Sequence, residues 1–267
     1  MNYVAGIDVG STYTKAVIMD REGSMIARTI LPTGFKLGNV ARSVFDAALE
    51  QSELGEEEIG YVISTGYGRH QVDFRDVTIT DLTAGARGAH YLYPNTRTVL
   101  DIGGQTMKAS KLNENIKVKS FRLNDKCAAG TGAFLEKTAR YMNFSTEEIG
   151  ALAESSTNEV VISGVCAVFA ESEVINQLSI GSSPADIMYG SMVSLVGRSM
   201  QLMRRIKMES EYTLVGGIMR FPTMVKTLEE NLGEGVNIPE GNMPQFAGAI
   251  GAATLALQRL KKLEMKA

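Results

Sequence analysis

Short apolar runs separated by turn residues open the chain, and the same arrangement returns further along. The first set is Tyr3–Val9, Thr14–Met19 and Ser24–Leu31, joined by the turn sequences GSTY and DREG. The second set is Thr98–Ile102, Met107–Leu112 and Lys117–Leu123, joined by GGQT and NENI. Alternating apolar residues bounded by Gly, Ser, Asp and Asn are typical of strands linked by tight turns. The pattern predicts two three-stranded meanders.

The two meanders share a sequence pattern, Asp-x-Gly-[Ser/Gly]-x-x-x-Lys. They align at three positions: Asp8 with Asp101, Gly10 with Gly103, and Lys15 with Lys108. A repeated supersecondary unit indicates that the fold is built from two related halves.

Helical periodicity fills most of the remaining chain. Between the meanders, it predicts a helix at Val40–Ser52, a strand at Tyr61–Thr65 and a helix at Leu82–Leu92. Later helices are expected at Gly130–Met142, Ser145–Glu154, Phe169–Leu178, Pro184–Met208, Phe221–Leu232 and Ala247–Glu264, with a strand at Glu211–Gly216. We therefore expect an α/β protein with an N-terminal lobe at 1–95 and a C-terminal lobe at 96–267, joined around a ligand cleft. The last helix, near 247–264, could pack back on the first lobe.

Composition and charge narrow the functional classes. A chain of 267 residues with 44% hydrophobic and 21% charged residues fits a well-cored globule. With a net charge of -3 and no basic run, nucleic acid is a poor partner. No apolar stretch is long enough to predict a membrane helix. Asp8 and Lys15 interrupt the first apolar run, which argues against a signal peptide, so a cytoplasmic protein is expected.

The first glycine turn carries candidate phosphate-binding chemistry. Its backbone N–H groups at 10–12 could surround a phosphate, and Lys15 offers a nearby cation. Three hydroxyls could add to this cradle: Ser11, Thr12 and Thr14. In the second turn, Gly103 and Gly104 take the corresponding positions. Ordinary hairpin turns are the alternative interpretation.

Two such turns facing each other would form a phosphate clamp, in which Asp8 and Asp101 hold Mg²⁺ largely through water. A third glycine pair, Gly216-Gly217, precedes Ile218 and would let a ribose or planar ring approach the backbone. Together the three segments resemble the phosphate-1, phosphate-2 and adenosine motifs of the actin/sugar-kinase/Hsp70 superfamily. That resemblance implies a duplicated, ribonuclease H-like ATPase fold that binds ATP or ADP.

Both cysteines, Cys127 and Cys166, stand immediately before a predicted helix. A helix N-terminus lowers the pKa of a thiol and stabilises an anionic cluster. Zinc is a poor fit because His70 and His90 are far away in sequence and no Cys-x-x-Cys pair exists. A cubane cluster needs four thiolates, so two chains would have to donate two each. Two inert buried thiols are the alternative.

Longer segments resemble the activator, or component A, of the 2-hydroxyacyl-CoA dehydratases and the ATP-binding subunits of benzoyl-CoA reductase. The segments are IDVGST, STGYGR, DIGGQ, NDKCAAGTGAFLE and VFAESEVI, and the resemblance extends from Gly6 to about Ala256. It implies that Cys127 and Cys166 bind one [4Fe-4S] cluster that bridges a homodimer, or a heterodimer with a related subunit. It also implies that ATP hydrolysis drives one electron from ferredoxin or flavodoxin onto an acyl-CoA dehydratase or reductase.

Two further roles are expected in the nucleotide site. Gln105 would orient the attacking water. The segment Gly130-Thr131-Gly132 could contact phosphate at a helix N-terminus, or serve only as the start of the helix. Three segments depart from the usual dehydratase-activator pattern: Thr106 after Gln105, Ile218-Met219-Arg220-Phe221 after Gly217, and Gln245-Phe246-Ala247-Gly248 near the C-terminus. These departures favour a resemblance to the ATP-binding subunits of benzoyl-CoA reductase over one to the dehydratase activators.

Two other classes stay open. A small-molecule kinase of the same fold would need a substrate pocket, for which so short a chain has no dedicated insertion. An actin-like filament or scaffold protein would have no cluster. The Met-rich stretch Met188–Met208 is interpreted as helix packing.

Overall fold

The computed structural model describes residues 2–124, 130–163 and 166–266, except for the side chain of residue 167. The chain divides into two compact units. The first unit comprises Met1–Thr96, Leu112–Val118 and Gln245–Ala267, and the second comprises Arg97–Lys111 and Lys119–Pro244. The last helix therefore belongs to the first unit. Within the described ranges, no helix has the length and apolar character needed to cross a membrane.

Each unit contains a five-stranded sheet covered by helices. The strands are β1 (Tyr3–Val9), β2 (Tyr13–Met19), β3 (Met25–Pro32), β4 (Ile59–Thr65), β5 (Val77–Thr78), β6 (Thr98–Ile102), β7 (Met107–Leu112), β8 (Val118–Asn124), β9 (Tyr212–Val215) and β10 (Val236–Asn237). The helices are α1 (Leu37–Ser52), α2 (Asp81–Leu92), α3 (Gly132–Tyr141), α4 (Ile149–Glu154), α5 (Ala167–Ser179), α6 (Pro184–Arg205), α7 (Pro222–Leu232) and α8 (Ala247–Glu264).

The two sheets have the same topology. Their strand orders are β3-β2-β1-β4-β5 and β8-β7-β6-β9-β10. In each sheet the central strand is antiparallel to the second strand of its meander and parallel to the strand on its other side. Even the register is repeated, because Asp8 lies opposite Lys15 and Asp101 lies opposite Lys108. The duplicated α/β architecture predicted from the two meanders is confirmed.

Small residues let α8 approach the first sheet very closely. A Cβ atom on Gly6 of β1 would lie 2.1 Å from the carbonyl oxygen of Ala249. A Cβ on Gly88 of α2 would lie 1.8 Å from the carbonyl oxygen of Ala247, and one on Gly251 would lie 1.8 Å from that of Ala84. Real Cβ atoms do not approach a backbone oxygen this closely. Glycine is therefore required where α2, α8 and β1 meet.

The second unit has a methionine-rich core around α6. Four methionines of this helix are buried: Met188, Met192, Met200 and Met203. Methionine fills irregular spaces because its unbranched side chain adapts its shape. Their burial agrees with the interpretation of this stretch as helix packing.

The buried carboxylate of Asp186, in the first turn of α6, holds the segment that leads toward Cys166. Its Oδ1 atom accepts hydrogen bonds from the Ser156 hydroxyl at 2.8 Å and from the backbone N–H groups of Thr157 and Asn158, both at 2.9 Å. The donation from Asn158, followed by the Ser183 and Ser156 hydroxyls, holds the pKa of Asp186 far below its ordinary value. The ionised carboxylate is thus part of the folded structure.

We predict that Gly88→Ala and Gly251→Ala each lower the free energy of unfolding by about 1–3 kcal/mol, because the added methyl group overpacks a backbone contact. Urea unfolding followed by circular dichroism measures the effect. Gly85→Ala, on α2 like Gly88, is the matched control, since its added Cβ meets nothing within 4 Å. It should raise stability by about 0.5–1 kcal/mol. Equal unfolding midpoints for all three variants would contradict the packing account.

Replacing Asp186 with Asn should lower the melting temperature by several degrees at neutral pH, because the charge that orders 156–158 is lost. The pKa of this aspartate is depressed in the folded state, so its stabilisation is present above the unfolded pKa and declines as the pH falls below about 4. The difference between wild type and variant should therefore narrow in acid. Ser156→Ala, which removes one donor and keeps the charge, should cost less at pH 7. A pH-independent difference would argue against an ionised Asp186.

Candidate functional site

Both glycine turns are closed by the same hydrogen bond. The N–H of Gly10 donates to the carbonyl oxygen of Tyr13 at 3.1 Å, and the N–H of Gly103 donates to that of Thr106 at 2.8 Å. A Cβ on Gly10 would lie only 2.7 Å from the Tyr13 oxygen. The first turn therefore requires glycine at its start, and the repeat of the fold extends to the loops that follow β1 and β6.

Each turn lies beside an ion pair between the aspartate and the lysine of the repeated pattern. Lys15 Nζ is 3.2 Å from Asp8 Oδ2, and Lys108 Nζ is 3.3 Å from Asp101 Oδ2. The carboxylates are mostly buried, with 15% of the Asp8 side chain and 27% of the Asp101 side chain exposed. Each unit thus contains a partly shielded carboxylate paired with a lysine, and that lysine could pair with a phosphate instead.

Thr33 forms two hydrogen bonds to the backbone of the first glycine turn. Its N–H donates to the carbonyl oxygen of Thr12 at 2.9 Å, and its hydroxyl donates to that of Gly10 at 2.8 Å. The fully buried hydroxyl of Thr14 lies 2.9 Å from the Thr33 hydroxyl. Thr14 therefore stabilises the loop from inside, in contrast to the exposed Ser11 and half-buried Thr12, which retain the outer positions expected of phosphate contacts.

A glycine with positive φ lies in close contact with each carboxylate. Gly66 (φ 87°) follows β4, and its Cβ would lie 2.5 Å from Asp8 Oδ1. Gly216 (φ 97°) follows β9, and its Cβ would lie 2.7 Å from Asp101 Oδ1. The sequence patterns predicted a role for Gly216 and none for Gly66. An alignment of the two halves through β4 and β9 would have identified Gly66, since Gly66 and Gly216 occupy the same place in the repeat.

The start of α8 also borders the first carboxylate. A Cβ on Gly248 would lie 2.9 Å from Asp8 Oδ2, so this position accepts no side chain without a shift. In the sequence, Gly248 stands out only as part of a departure from the usual C-terminal motif. Its contact with Asp8 joins residues that are far apart in sequence.

In the second unit, the start of α3 is hydrogen-bonded to the second glycine turn. Gly132 N–H donates to the Gly103 carbonyl oxygen at 3.0 Å, and Ala133 N–H donates to the Gly104 carbonyl oxygen at 2.7 Å. A Cβ on Gly132 would also lie 3.0 Å from Ile218 Cδ1. These two N–H groups therefore hold the loop in place, so they are not free to bind a phosphate as proposed for a helix N-terminus.

The other residues expected near the nucleotide are distributed around this loop. Gly130 and Thr131 are buried, Gln105 is exposed, and Gly216 and Gly217 are half-buried beside the buried Ile218. The structure thus brings the second turn, the start of α3 and the segment 216–218 together in one unit. It brings Asp8, Lys15 and the first turn together in the other.

Cys166 is half-buried and caps the N-terminus of α5, with its carbonyl oxygen accepting from Ala170 N–H at 2.9 Å. Cys127 lies outside the described residues. Lys137 Nζ of α3 donates a hydrogen bond to Glu171 Oε2 of α5 at 2.7 Å, and this bond raises the pKa of Lys137. The helices that follow the two cysteines are therefore linked. Among the described residues, no three His, Cys, Asp or Glu side chains gather into a metal site.

Five apolar side chains close to Cys166 in sequence are exposed. They are Val161, Val168, Phe169, Ile175 and Ile180, which are 51–78% exposed. Large exposed apolar side chains are found at interaction surfaces when they lie together.

The duplicated fold is shared with sugar kinases. A ROK family glucokinase from Streptomyces griseus, solved with glucose and AMPPNP, aligns with 96% of this chain and 99% of its own at a TM-score of 0.56. Its 15% sequence identity supports the fold alone. Together with the two identical sheet topologies, this shows an actin/sugar-kinase type of α/β fold.

Much closer similarity exists to dehydratase activators. The 2-hydroxyisocaproyl-CoA dehydratase activator of Clostridioides difficile is 37% identical over 260 residues, covering 97% of both chains. A solved activator of the 2-hydroxyisocaproyl-CoA dehydratase from Clostridium difficile, with bound ADPNP, superposes with a TM-score of 0.91 at 36% identity, covering 99% of this chain and 98% of that one. A benzoyl-CoA reductase subunit of Thauera aromatica is 35% identical, covering 98% of this chain and 96% of its own.

A family model also matches almost the whole sequence. The match covers residues 5–256 and so includes both glycine turns, both cysteines and the segment 216–218. The chain belongs to the BadF/BadG/BcrA/BcrD ATPase family.

Proposed function

We propose that this chain hydrolyses ATP to drive one low-potential electron through a subunit-bridging [4Fe-4S] cluster onto a 2-hydroxyacyl-CoA dehydratase-type partner. The observation that carries the ATPase part is the repeated site, in which a carboxylate, a lysine and a closed glycine turn recur with the same register. Activators of such dehydratases are among its relatives.

The nucleotide roles follow from this repeat. Asp8 and Asp101 fit Mg²⁺ because partly exposed carboxylates at strand ends are ligands that the ion accepts, directly or through water. When bound, Mg²⁺ neutralises phosphate charge. Lys15 would leave Asp8 to balance the phosphates, and Gln105, exposed on its turn, would orient the attacking water. Gly216, Gly217 and Ile218 would receive the adenosine.

The cluster role rests on Cys166. It is half-buried at the N-terminus of α5, where its Sγ atom could serve as a ligand to iron. We assign Cys127 as the second ligand of each chain. Two ligands per chain require a second copy or a related protein, and the exposed apolar side chains close to Cys166 in sequence would be covered by that partner.

The link between the two functions would be α3. This helix follows Cys127 and is hydrogen-bonded through Gly132 and Ala133 to the second glycine turn. A change in that turn on hydrolysis would therefore move the start of α3 and bias the cluster between two states.

Ferredoxin or flavodoxin would supply the electron. The acceptor would be an acyl-CoA dehydratase. The second candidate is the ATP-binding role in a benzoyl-CoA reductase complex, supported by the 35% identity to the Thauera aromatica protein. No residue of the described site favours a sugar or small-molecule kinase.

Cys127→Ala and Cys166→Ala should each abolish the cluster, while wild-type protein purified without oxygen should contain about four irons per dimer. Iron analysis, visible absorbance and size-exclusion chromatography measure this. Nucleotide binding should survive in both variants, because other residues hold the ATP. Glu230→Ala, on an exposed position of α7, is the control and should keep the cluster. A monomer with a full cluster would rule out the bridging arrangement.

Asp101→Asn should lower ATP hydrolysis by orders of magnitude, because it keeps the side-chain shape and removes the charge that organises Mg²⁺. The cluster should remain and accept an electron from dithionite. Mixed with acceptor and ATP, the reduced variant should keep that electron, as followed by stopped-flow absorbance. Asp46→Asn on the exposed side of α1 is the control. Electron transfer at the wild-type rate without hydrolysis would show that ATP turnover does not drive the transfer.

A further inference from the structure

Thr65, the last residue of β4, carries a buried hydroxyl without a partner. The residue is fully buried, and no described group donates to or accepts from its Oγ1 atom. A buried polar atom left unpaired costs about 1–3 kcal/mol relative to an apolar group of the same shape. Such an atom in a folded protein calls for a physical explanation.

This hydroxyl lies on the strand next to the Asp8 carboxylate. β1 and β4 are parallel, and Asp8 is the register partner of Thr65, so their side chains project from the same face of the sheet. The next residue, Gly66, would bring a Cβ within 2.5 Å of Asp8 Oδ1, which fixes how closely the backbone approaches the carboxylate. In the described structure, the Asp8 carboxylate is bonded to Lys15 through Oδ2.

The second unit shows that folding does not require the hydroxyl. Asp101 pairs with Val215 on β9 as Asp8 pairs with Thr65 on β4. Val215 is 1% exposed and has nearly the shape of threonine. The repeat therefore accepts a branched apolar side chain at this place, and the unpaired hydroxyl is specific to the half that contains Asp8.

We propose that Thr65 is a positioning residue for Asp8. When Lys15 turns toward the phosphates of ATP, the Asp8 carboxylate loses its cation partner, and the Thr65 hydroxyl then donates to it and holds it in the orientation that serves Mg²⁺. The hydroxyl is unpaired in the state where Lys15 occupies Asp8 and paired in the state with nucleotide. This inference rests on the proposed ATPase function.

The test compares Thr65→Val with Thr65→Ser. Valine removes the unpaired hydroxyl, so the variant without nucleotide should melt at the wild-type temperature or higher. Its Mg²⁺ requirement should rise about tenfold, the effect of losing one hydrogen bond to a charged group. Serine keeps the hydroxyl and loses a buried methyl group, so it should melt lower and keep a Mg²⁺ requirement near that of wild type. The readouts are the Mg²⁺ titration of nucleotide binding by calorimetry, with a non-hydrolysable ATP analogue, and the melting temperature without nucleotide.

A purely structural Thr65 would give the opposite ranking, with the Mg²⁺ requirement following stability and serine the more impaired variant. That ranking, or an unchanged Mg²⁺ requirement in Thr65→Val, would overturn the proposal while leaving the ATPase function intact. If wild-type protein shows no Mg²⁺-dependent binding of the analogue, the proposed function itself fails.

Discussion

The structure depends on keeping two carboxylates partly buried at the ends of two strands, each beside one lysine. Burying a charge is costly unless it is paired, so the 3.2 Å and 3.3 Å ion pairs are conditions for this arrangement. The backbone must also fold over each carboxylate without a side chain in the way. Gly66 and Gly216 meet that condition, because at positive φ they place bare backbone against the Oδ1 atoms. β4 and β9 run parallel beside β1 and β6, which brings these two glycines to the carboxylates.

Around this shared constraint the two halves have diverged. In the first unit, glycine and alanine residues allow the backbone of α8 to contact the backbones of α2 and β1 directly. This junction tolerates little change, because a Cβ atom at Gly6, Gly88 or Gly251 would overlap the neighbouring backbone. The second unit instead packs methionines around α6, and such side chains adapt to small displacements. Under the proposed function, the closely packed first unit would suit the fixed part of a nucleotide-driven switch, and the methionine-packed second unit would suit the responsive part.

Local pattern was sufficient to predict most of the fold. The strands Thr98–Ile102 and Met107–Leu112 and the helix Ala247–Glu264 have the bounds expected from periodicity and turn residues. Strands β5 and β10 were not predicted, because two residues carry no periodicity. Helix α6 ends at Arg205 instead of Met208, since Lys207 takes a positive φ of 53°. The contacts of Gly66 and Gly248 with Asp8 could not be predicted locally, because distant segments create them.

The start of α3 shows that a segment with the composition of a phosphate-binding motif can instead hold a neighbouring loop. Gly130-Thr131-Gly132 has the composition of a phosphate-binding helix start, yet the N–H groups of Gly132 and Ala133 are engaged by loop carbonyls. Each such bond contributes about 1 kcal/mol, so moving the loop without α3 would sacrifice both. If this loop rearranged with a nucleotide, it would either carry the helix with it or lose that stabilisation. The proposed coupling would then need no long chain of residues, because two backbone hydrogen bonds already join the second glycine turn to the helix that follows Cys127.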